Sequence, residues 1–240
     1  MGVKQLLKQS DTVVGFARDF RKVSILLTKK LARDRLIRNY LNSNSVRKLQ
    51  IGAGPTTLPG WLSTDISPSN DNSIFLDATK TFPFENESFD YVFSEHMIEH
   101  VPWDSGLFML KECKRVLKPG GRIRIATPDL KVLIGLYIEE GGALAEKYVE
   151  WITRNYLDNV TEIKASFVIN NAFRNWGHQF LYDHELLELA LNSAGFINIQ
   201  KMSPGISNDA NFQGIEFHGN NVNESEMASF ETMVLEAERL

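Results

Sequence analysis

The sequence predicts an open, mostly parallel α/β sheet with helices on both faces and an antiparallel pair at one edge. Three observations carry this. Short apolar runs alternate with helical patterns along most of the chain. The first run, Leu49-Gln50-Ile51, breaks into the glycine turn Gly52-Ala53-Gly54. The next two each lead to an Asp, Trp61 to Ile66 through Asp65 and Phe75-Leu76 into Asp77-Ala78.

Taken in order, Val13, Phe16, Phe20, Val23, Leu27 and Leu31 recur at steps of three or four, which predicts an amphipathic helix over 11–31 capped by Ser10 or Asp11. A short helix is expected from Leu36 to Leu41, ended by Asn42-Ser43-Asn44-Ser45. Strands are expected at Lys48 to Ile51, Trp61 to Ile66, Ile74 to Leu76 and Phe89 to Ser94. Pro55 and Pro59 leave the first crossover little room for a helix. Leu107 to Leu117 reads as a helix, stopped by Lys118-Pro119-Gly120-Gly121, with Arg122 to Thr127 as the fifth strand. Lys131 to Tyr156 is helical with a break at Gly141-Gly142. Asp183 caps a helix to Ala194, and Gly195 ends it. Phe196 to Met202 and Gln213 to Gly219 are expected as the antiparallel edge pair, and Glu224 to Leu240 as an acidic helix. The chain thus divides into a basic helical extension (1–45), a core (46–220, with an insertion over about 130–182) and an acidic tail (221–240).

Of the 240 residues, 43% are hydrophobic and 23% charged, the balance of a soluble globular protein. No apolar run approaches the roughly 20 residues of a membrane span, and no secretory leader is read at the start. The single Cys113 excludes an internal disulfide and fits a reducing, cytoplasmic setting. The net charge of −4 conceals a polarity: residues 1–48 carry twelve Lys or Arg against three Asp, a net +9, leaving −13 on the rest. An acidic core repels a polyanion, so nucleic acid is not the expected partner. The basic helix either packs on the chain's own core, within a subunit or across a homodimer, or lies on an anionic membrane surface.

In such a sheet, ligands sit beyond the carboxyl ends of the strands. Gly52 and Gly54 let the backbone approach a ligand closely, and Asp65 is placed to accept from two ribose hydroxyls. A dinucleotide site would want a third glycine where Thr57 stands and a helix where the prolines lie. With FDYVFSEHMIEH (89–100) and LKECKRVLKPGGRIRIATPD (110–129) following in order, the pattern resembles the class I S-adenosylmethionine-dependent methyltransferases, and so a Rossmann-like fold. The resemblance implies S-adenosylmethionine as cofactor, held by Gly52, Ala53 and Gly54, by Asp65 with Ile66, by Asp77 and Ala78 at the adenine, and by Ser94 at the amino-acid end. Gln50 stands where the family usually has an acid.

Methyl transfer to a hydroxyl needs alignment and a base, and histidine suits that role. His96 and His178 are the candidates. His96, Glu99 and His100 could instead hold a divalent ion, as acids and a histidine do in the ubiquinone-pathway O-methyltransferases that this segment also resembles. The segment from Asn170 to Asp183 is dense in polar and aromatic residues, and Asn171, Arg174, Trp176 and Tyr182 are the expected acceptor contacts. His184 and His218 read as a helix-cap and an edge-strand residue, without a role. The pattern is similar to bacterial methyltransferases of surface-glycan and sugar-nucleotide pathways, which implies O-methylation of a small polar acceptor such as a sugar or a phosphate-bearing glycan precursor. A methyltransferase for a non-sugar molecule, and a non-catalytic cofactor-binding subunit docking through the basic helix, are the alternatives.

Overall fold

The computed structural model describes residues 33–70, 73–138, 142–222 and 224–240. The chain divides into two units, Met1–Ser43 and Asn44–Leu240. In the first, a helix (α1) is described over 33–43, with Arg33 paired to Asp34 at 3.0 Å. The amphipathic helix expected over 11–31 lies outside the described residues.

The second unit is built on seven strands: β1 (Lys48–Ile51), β2 (Leu62–Asp65), β3 (Ser73–Phe75), β4 (Phe89–Glu95), β5 (Leu117–Pro128), β6 (Phe196–Met202) and β7 (Thr232–Arg239). They lie in the order β3-β2-β1-β4-β5-β7-β6. The first five are parallel, with Ile51 level with both Thr64 and Ser94, so the carboxyl ends of β1, β2 and β4 form one rim. β7 runs antiparallel between β5 and β6. No helix forms between β1 and β2. Strands buried on both faces give near-continuous apolar runs, and Leu49, Ile51, Val92, Phe93, Ile123 and Ile125 are all buried.

Helix α2 (Trp103–Val116) starts directly after Pro102, a few residues earlier than the apolar spacing predicts. It buries Met109, Leu110, Cys113 and Val116 at helical spacing and packs against α6 (His184–Ala194). The caps of α6 are those read from the sequence. The Asp183 carboxylate accepts from the Leu186 amide at 2.9 Å, and Gly195 takes the left-handed conformation (φ 87°) that closes the helix. Helices α3 (Leu130–Tyr137), α4 (Gly142–Tyr156) and α5 (Ala165–Arg174) make a separate apolar cluster around Leu133, Tyr148, Ile152 and Ala172. No helix among the described residues is long and apolar enough to cross a membrane.

The carboxyl-terminal third departs from the sequence expectation. Gln213–Gly219 is not a strand; it runs as turn and loop into the one-turn helix α7 (His218–Asn221). The expected acidic helix over 224–240 is only a short α8 (Ser225–Glu231), and the remainder is β7, the true partner of β6 in the edge pair. Met227, Phe230, Val234 and Ala237 carry helical spacing, but a strand held between two others is buried on both faces and shows no alternation to betray it. Its one deeply buried acid, Glu236, is neutralised by Arg122 and the fully buried Arg124. The Pro119-Gly120-Gly121 stop is absorbed into β5 as an irregularity, with the register against β4 shifting between Phe89 and Tyr91. The polar and aromatic segment from Asn170 begins in the last turns of α5.

Candidate active site

The strand order reverses between β1 and β4, which places the site at their carboxyl ends. Gly52 (φ 69°) and Gly54 (φ 54°) hold conformations that other residues rarely adopt. A Cβ on Gly52 would sit 2.6 Å from the Met97 side chain, whereas the space over Gly54 is open. The turn is pinned from below by Gln50, whose amide donates to the Thr56 carbonyl at 3.0 Å. Its oxygen accepts from the Leu58 amide and the Ser63 hydroxyl. Asp65 accepts from the Gly54 amide at 2.9 Å and the Ser67 amide at 2.7 Å, which fixes the carboxylate beside the glycine turn with lone pairs to spare. Asp77 is held by the amide and hydroxyl of Thr79, and the hydroxyl bond above all keeps its carboxyl below the usual range. Ala53 and Ala78 are buried beside them, while the Ile66 side chain is exposed. Ser94, level with Ile51, is buried with a hydroxyl that finds no partner among the described residues.

Next to this rim opens a cavity of about 180 Å³, walled by His96, His100, His178, His218, Glu231 and the rings of Trp151, Tyr156 and Trp176. His96 leaves β4 in a left-handed conformation (φ 45°). Its Nδ1 lies 3.2 Å from Glu99 Oε1 and its Nε2 3.2 Å from the Thr232 hydroxyl, while its ring stacks on His218 at 3.8 Å. Burial opposes charge on His96 most strongly. The bond to Glu99 and the charges of Glu99, Glu231 and Glu95 outweigh it and hold the imidazole above its ordinary value. Burial likewise works against the Glu99 carboxylate, yet His96 holds it below the usual range. The two are coupled at 3.2 Å, and the Thr127 hydroxyl donates to the other Glu99 oxygen.

His178 is tuned the opposite way. Its burial, aided by the neighbouring His100 and His96, pushes it below the ordinary histidine value despite Glu99 and the Ala172 carbonyl. Nδ1 lies 2.8 Å from that carbonyl, which can only accept, so Nδ1 carries the proton and Nε2 is the free lone pair. The ring meets His100 edge-on at 5.0 Å and Trp176 at 5.8 Å.

The two expected bases and Trp176 therefore share one cavity. Asn171 is buried and engaged by Asn175, Arg174 is exposed at the end of α5, and neither lines the cavity. Tyr182, expected as an acceptor contact, is fully buried against Trp103 and Phe180, because its backbone pairs with Asp129 and Leu130. His218, set aside in the sequence, stacks on His96. Glu231, read as part of an acidic helix, forms part of the wall. Both reach the site through α7 and α8, over a separation that no local motif bridges. Trp151 and Tyr156 were equally unmarked, being ordinary members of a helix face. His184 opens α6 near Glu188, in keeping with a helix-end residue. The expected metal group of His96, Glu99 and His100 is split, because the backbone at His96 and the following turn (Ile98–His100) send His96 toward His218 and His100 toward His178. Among the described residues, two other groups bring their ligand atoms within 4.8 Å of one another: His96, His218 and Glu231, and Glu99, His100 and His178.

Residues 63–125, spanning β2 to β5 and so Asp65, Asp77, Ser94 and His96, match the model of a methyltransferase domain. A stretch of 84 residues is 36% identical to phosphoethanolamine N-methyltransferase 2 of Caenorhabditis elegans, covering 34% of this chain and 17% of that protein. Among solved structures, the fold is similar to a SAM-dependent methyltransferase of Archaeoglobus fulgidus (16% identity, 88% of this chain and 94% of that one, TM-score 0.47). It is also similar to a possible histamine N-methyltransferase of Thermotoga maritima (15%, 92% and 97%, TM-score 0.46). A third is phosphoethanolamine N-methyltransferase 2 of Haemonchus contortus in complex with S-adenosylmethionine (18%, 81% and 48%, TM-score 0.42). The sheet and its rim define an open α/β architecture, of the kind that takes ligands at its strand ends. The methyltransferase-domain match falls on the part of that rim from Asp65 to Ser94. The unpartnered Ser94 hydroxyl, the open space over Gly54 and the two strand-end carboxylates fit S-adenosylmethionine.

Proposed function

We propose that this chain transfers a methyl group from S-adenosylmethionine to the hydroxyl of a small polar acceptor seated in the histidine-lined cavity. The observation that carries the reading is His178. Its tautomer is fixed by the Ala172 carbonyl, its basic Nε2 is free, and its lowered pKa keeps it neutral near physiological pH. When bound, the cofactor supplies an electrophilic methyl on a sulfonium. Asp65 would hold the ribose hydroxyls, Asp77 and the Ala78 backbone the adenine edge, and Ser94 the amino-acid end. The aromatic wall of Trp151, Tyr156 and Trp176 would exclude water and flank the acceptor, and His178 Nε2 would take the proton its hydroxyl loses. His96, with both ring nitrogens engaged by Glu99 and Thr232 and its face stacked on His218, is a positioning residue in this reading rather than the base.

A sugar or comparable polyol fits this wall. No Lys or Arg is among the described residues lining the cavity, which favours an acceptor without a phosphate inside it. A second reading, N-methylation of a small amine, draws on the 84-residue likeness to a phosphoethanolamine N-methyltransferase and on the acid and aromatic rings of the wall. Incubating the protein with methyl-labelled cofactor and a panel of sugars, sugar nucleotides and small amines separates the two, with the labelled product located by NMR. Label on oxygen supports the first reading and label on nitrogen the second. Transfer to neither, with the cofactor bound, would favour a non-catalytic binding subunit.

A further inference from the structure

We infer that Gln179 is a positioning residue for His178, fixing the loop that carries the base to the turn that covers the glycine turn of the cofactor rim. Its place in catalysis rests on His178 being the base; the contacts it makes do not. The turn Ile98–His100 lies between the two halves of the site. Met97, just before it, packs directly on Gly52, and the His100 ring meets the His178 ring at 5.0 Å. Inside the turn, the His100 amide donates to the Met97 carbonyl at 3.0 Å and the Val101 amide to that of Ile98 at 3.4 Å. The next carbonyl, Glu99, would look to residue 102, but that is Pro102, which has no N–H. Gln179 takes the two carbonyls that end the turn. Its main-chain amide donates to Glu99 and its side-chain amide to His100, each at 2.7 Å, and the Phe180 amide adds a bond to Glu99 at 3.2 Å.

The loop needs such a hold. Trp176 (φ 58°) and Gly177 (φ 79°) are both left-handed and reverse the chain sharply after α5. Trp176 is not a glycine, so this conformation persists only where the surroundings over-determine it. On the α5 side, the Asn175 amide donates to the Asn171 carbonyl at 2.8 Å and His178 Nδ1 to that of Ala172. On the other side stand the bonds of Gln179 and Phe180. His178 is thus suspended between α5 and the turn beside the cofactor rim. Its lowered pKa depends on the same suspension, through burial first and then the closeness of His100 and His96, against the pull of Glu99 and the Ala172 carbonyl. Released at Gln179, the ring would move toward water and away from His100. Its pKa would rise toward the ordinary histidine value, and Nε2 would lose its aim at the acceptor.

The test removes the side-chain donor alone. Gln179→Met keeps the main-chain bonds and the side-chain length but cannot donate. In the full chain with isotope-labelled histidine, nitrogen–proton correlation spectra followed through a pH titration report the tautomer and midpoint of each ring. The parent His178 should carry its proton on Nδ1 and titrate below ~6.5, and in Gln179→Met the midpoint should move up toward that value. With an acceptor found in the labelled-methyl panel, kcat should fall about 2- to 10-fold while the KM for S-adenosylmethionine stays within about twofold. Gln213→Met is the control. It removes a comparable exposed bond, from Gln213 to the Gly205 carbonyl, and should change neither reading. Circular dichroism checks that both variants are folded. An unmoved His178 midpoint in Gln179→Met, or the same changes in Gln213→Met, would overturn the assignment. If no acceptor is methylated, the proposed activity fails, and the ring titration by itself decides whether Gln179 holds His178.

Discussion

Gln50 stands where the enzymes this chain resembles carry an acid, and its hydrogen bonds account for the exchange: both ends of the amide tie the glycine turn to itself and to β2. A carboxylate could accept from Leu58 and Ser63 but could not donate to the Thr56 carbonyl. The single-residue predictions follow from similar accounting. Asp65→Ala removes an acceptor for the cofactor and for the Gly54 amide together. At about 1.5–3 kcal/mol per charge-assisted bond, affinity for S-adenosylmethionine should fall at least tenfold by calorimetry. Equal affinity would remove Asp65 from the site. His178→Ala should lower kcat by roughly 10²–10⁴ while cofactor binding is kept. In the parent, the base form of His178 persists below the ordinary histidine value of about 6.5. The acid limb of kcat/KM should therefore fall below that pH and vanish in the variant. An acid limb unchanged by the substitution would assign it to another group. The rim residues were legible because each sits at a strand end announced by its own local pattern. His218 and Glu231 were not, because what gives them meaning is a distant neighbour, His96 for the one and Tyr148, 83 positions away, for the other.

Among the elements, β7 is the instructive error. Strands β1 to β4, the caps of α6 and the break between α3 and α4 all carry local chemistry, namely glycine turns, an N-cap Asp and a left-handed glycine. For β7, apolar residues at three- and four-residue steps favour a helix, and only the tertiary demand for a strand beside β5 overrides them. What makes that demand affordable for a chain bearing Glu236 is Arg124. It reaches Glu236, Glu216 and the carbonyls of Ile206 and Ser203, and so also ties the 203–217 loop to the sheet. Arg124→Met should therefore cost about 3–5 kcal/mol, because two buried carboxylates lose a cation, although Glu236 keeps Arg122. Urea denaturation with an unchanged slope would read this as a lower midpoint. A loss under 1 kcal/mol would mean that the network is wetter than its burial implies.

On the scale of the whole molecule, every residue assigned to the cofactor rim and the cavity belongs to the unit Asn44–Leu240. A fragment covering 44–240 should bind S-adenosylmethionine within about threefold of the full chain. Loss of binding from a folded fragment would give the basic segment a part in the site. The acidic helix expected over 224–240 is only the short α8, and two of its acids are already engaged: Glu236, in β7, by Arg122 and Arg124, and Glu231 by Tyr148. The sheet order carries one more consequence, for synthesis of the protein. β6 is made well before β7, yet it joins the sheet only through β7. While the ribosome is still adding the residues after Met202, the growing chain displays β5 and β6 with open edges and no strand between them. That interval is when the nascent protein is most prone to pair with another copy of itself or to need a chaperone. Chains stalled before Thr232 should therefore be trapped by holdases or aggregate, whereas chains stalled with β7 clear of the exit tunnel should resist proteolysis.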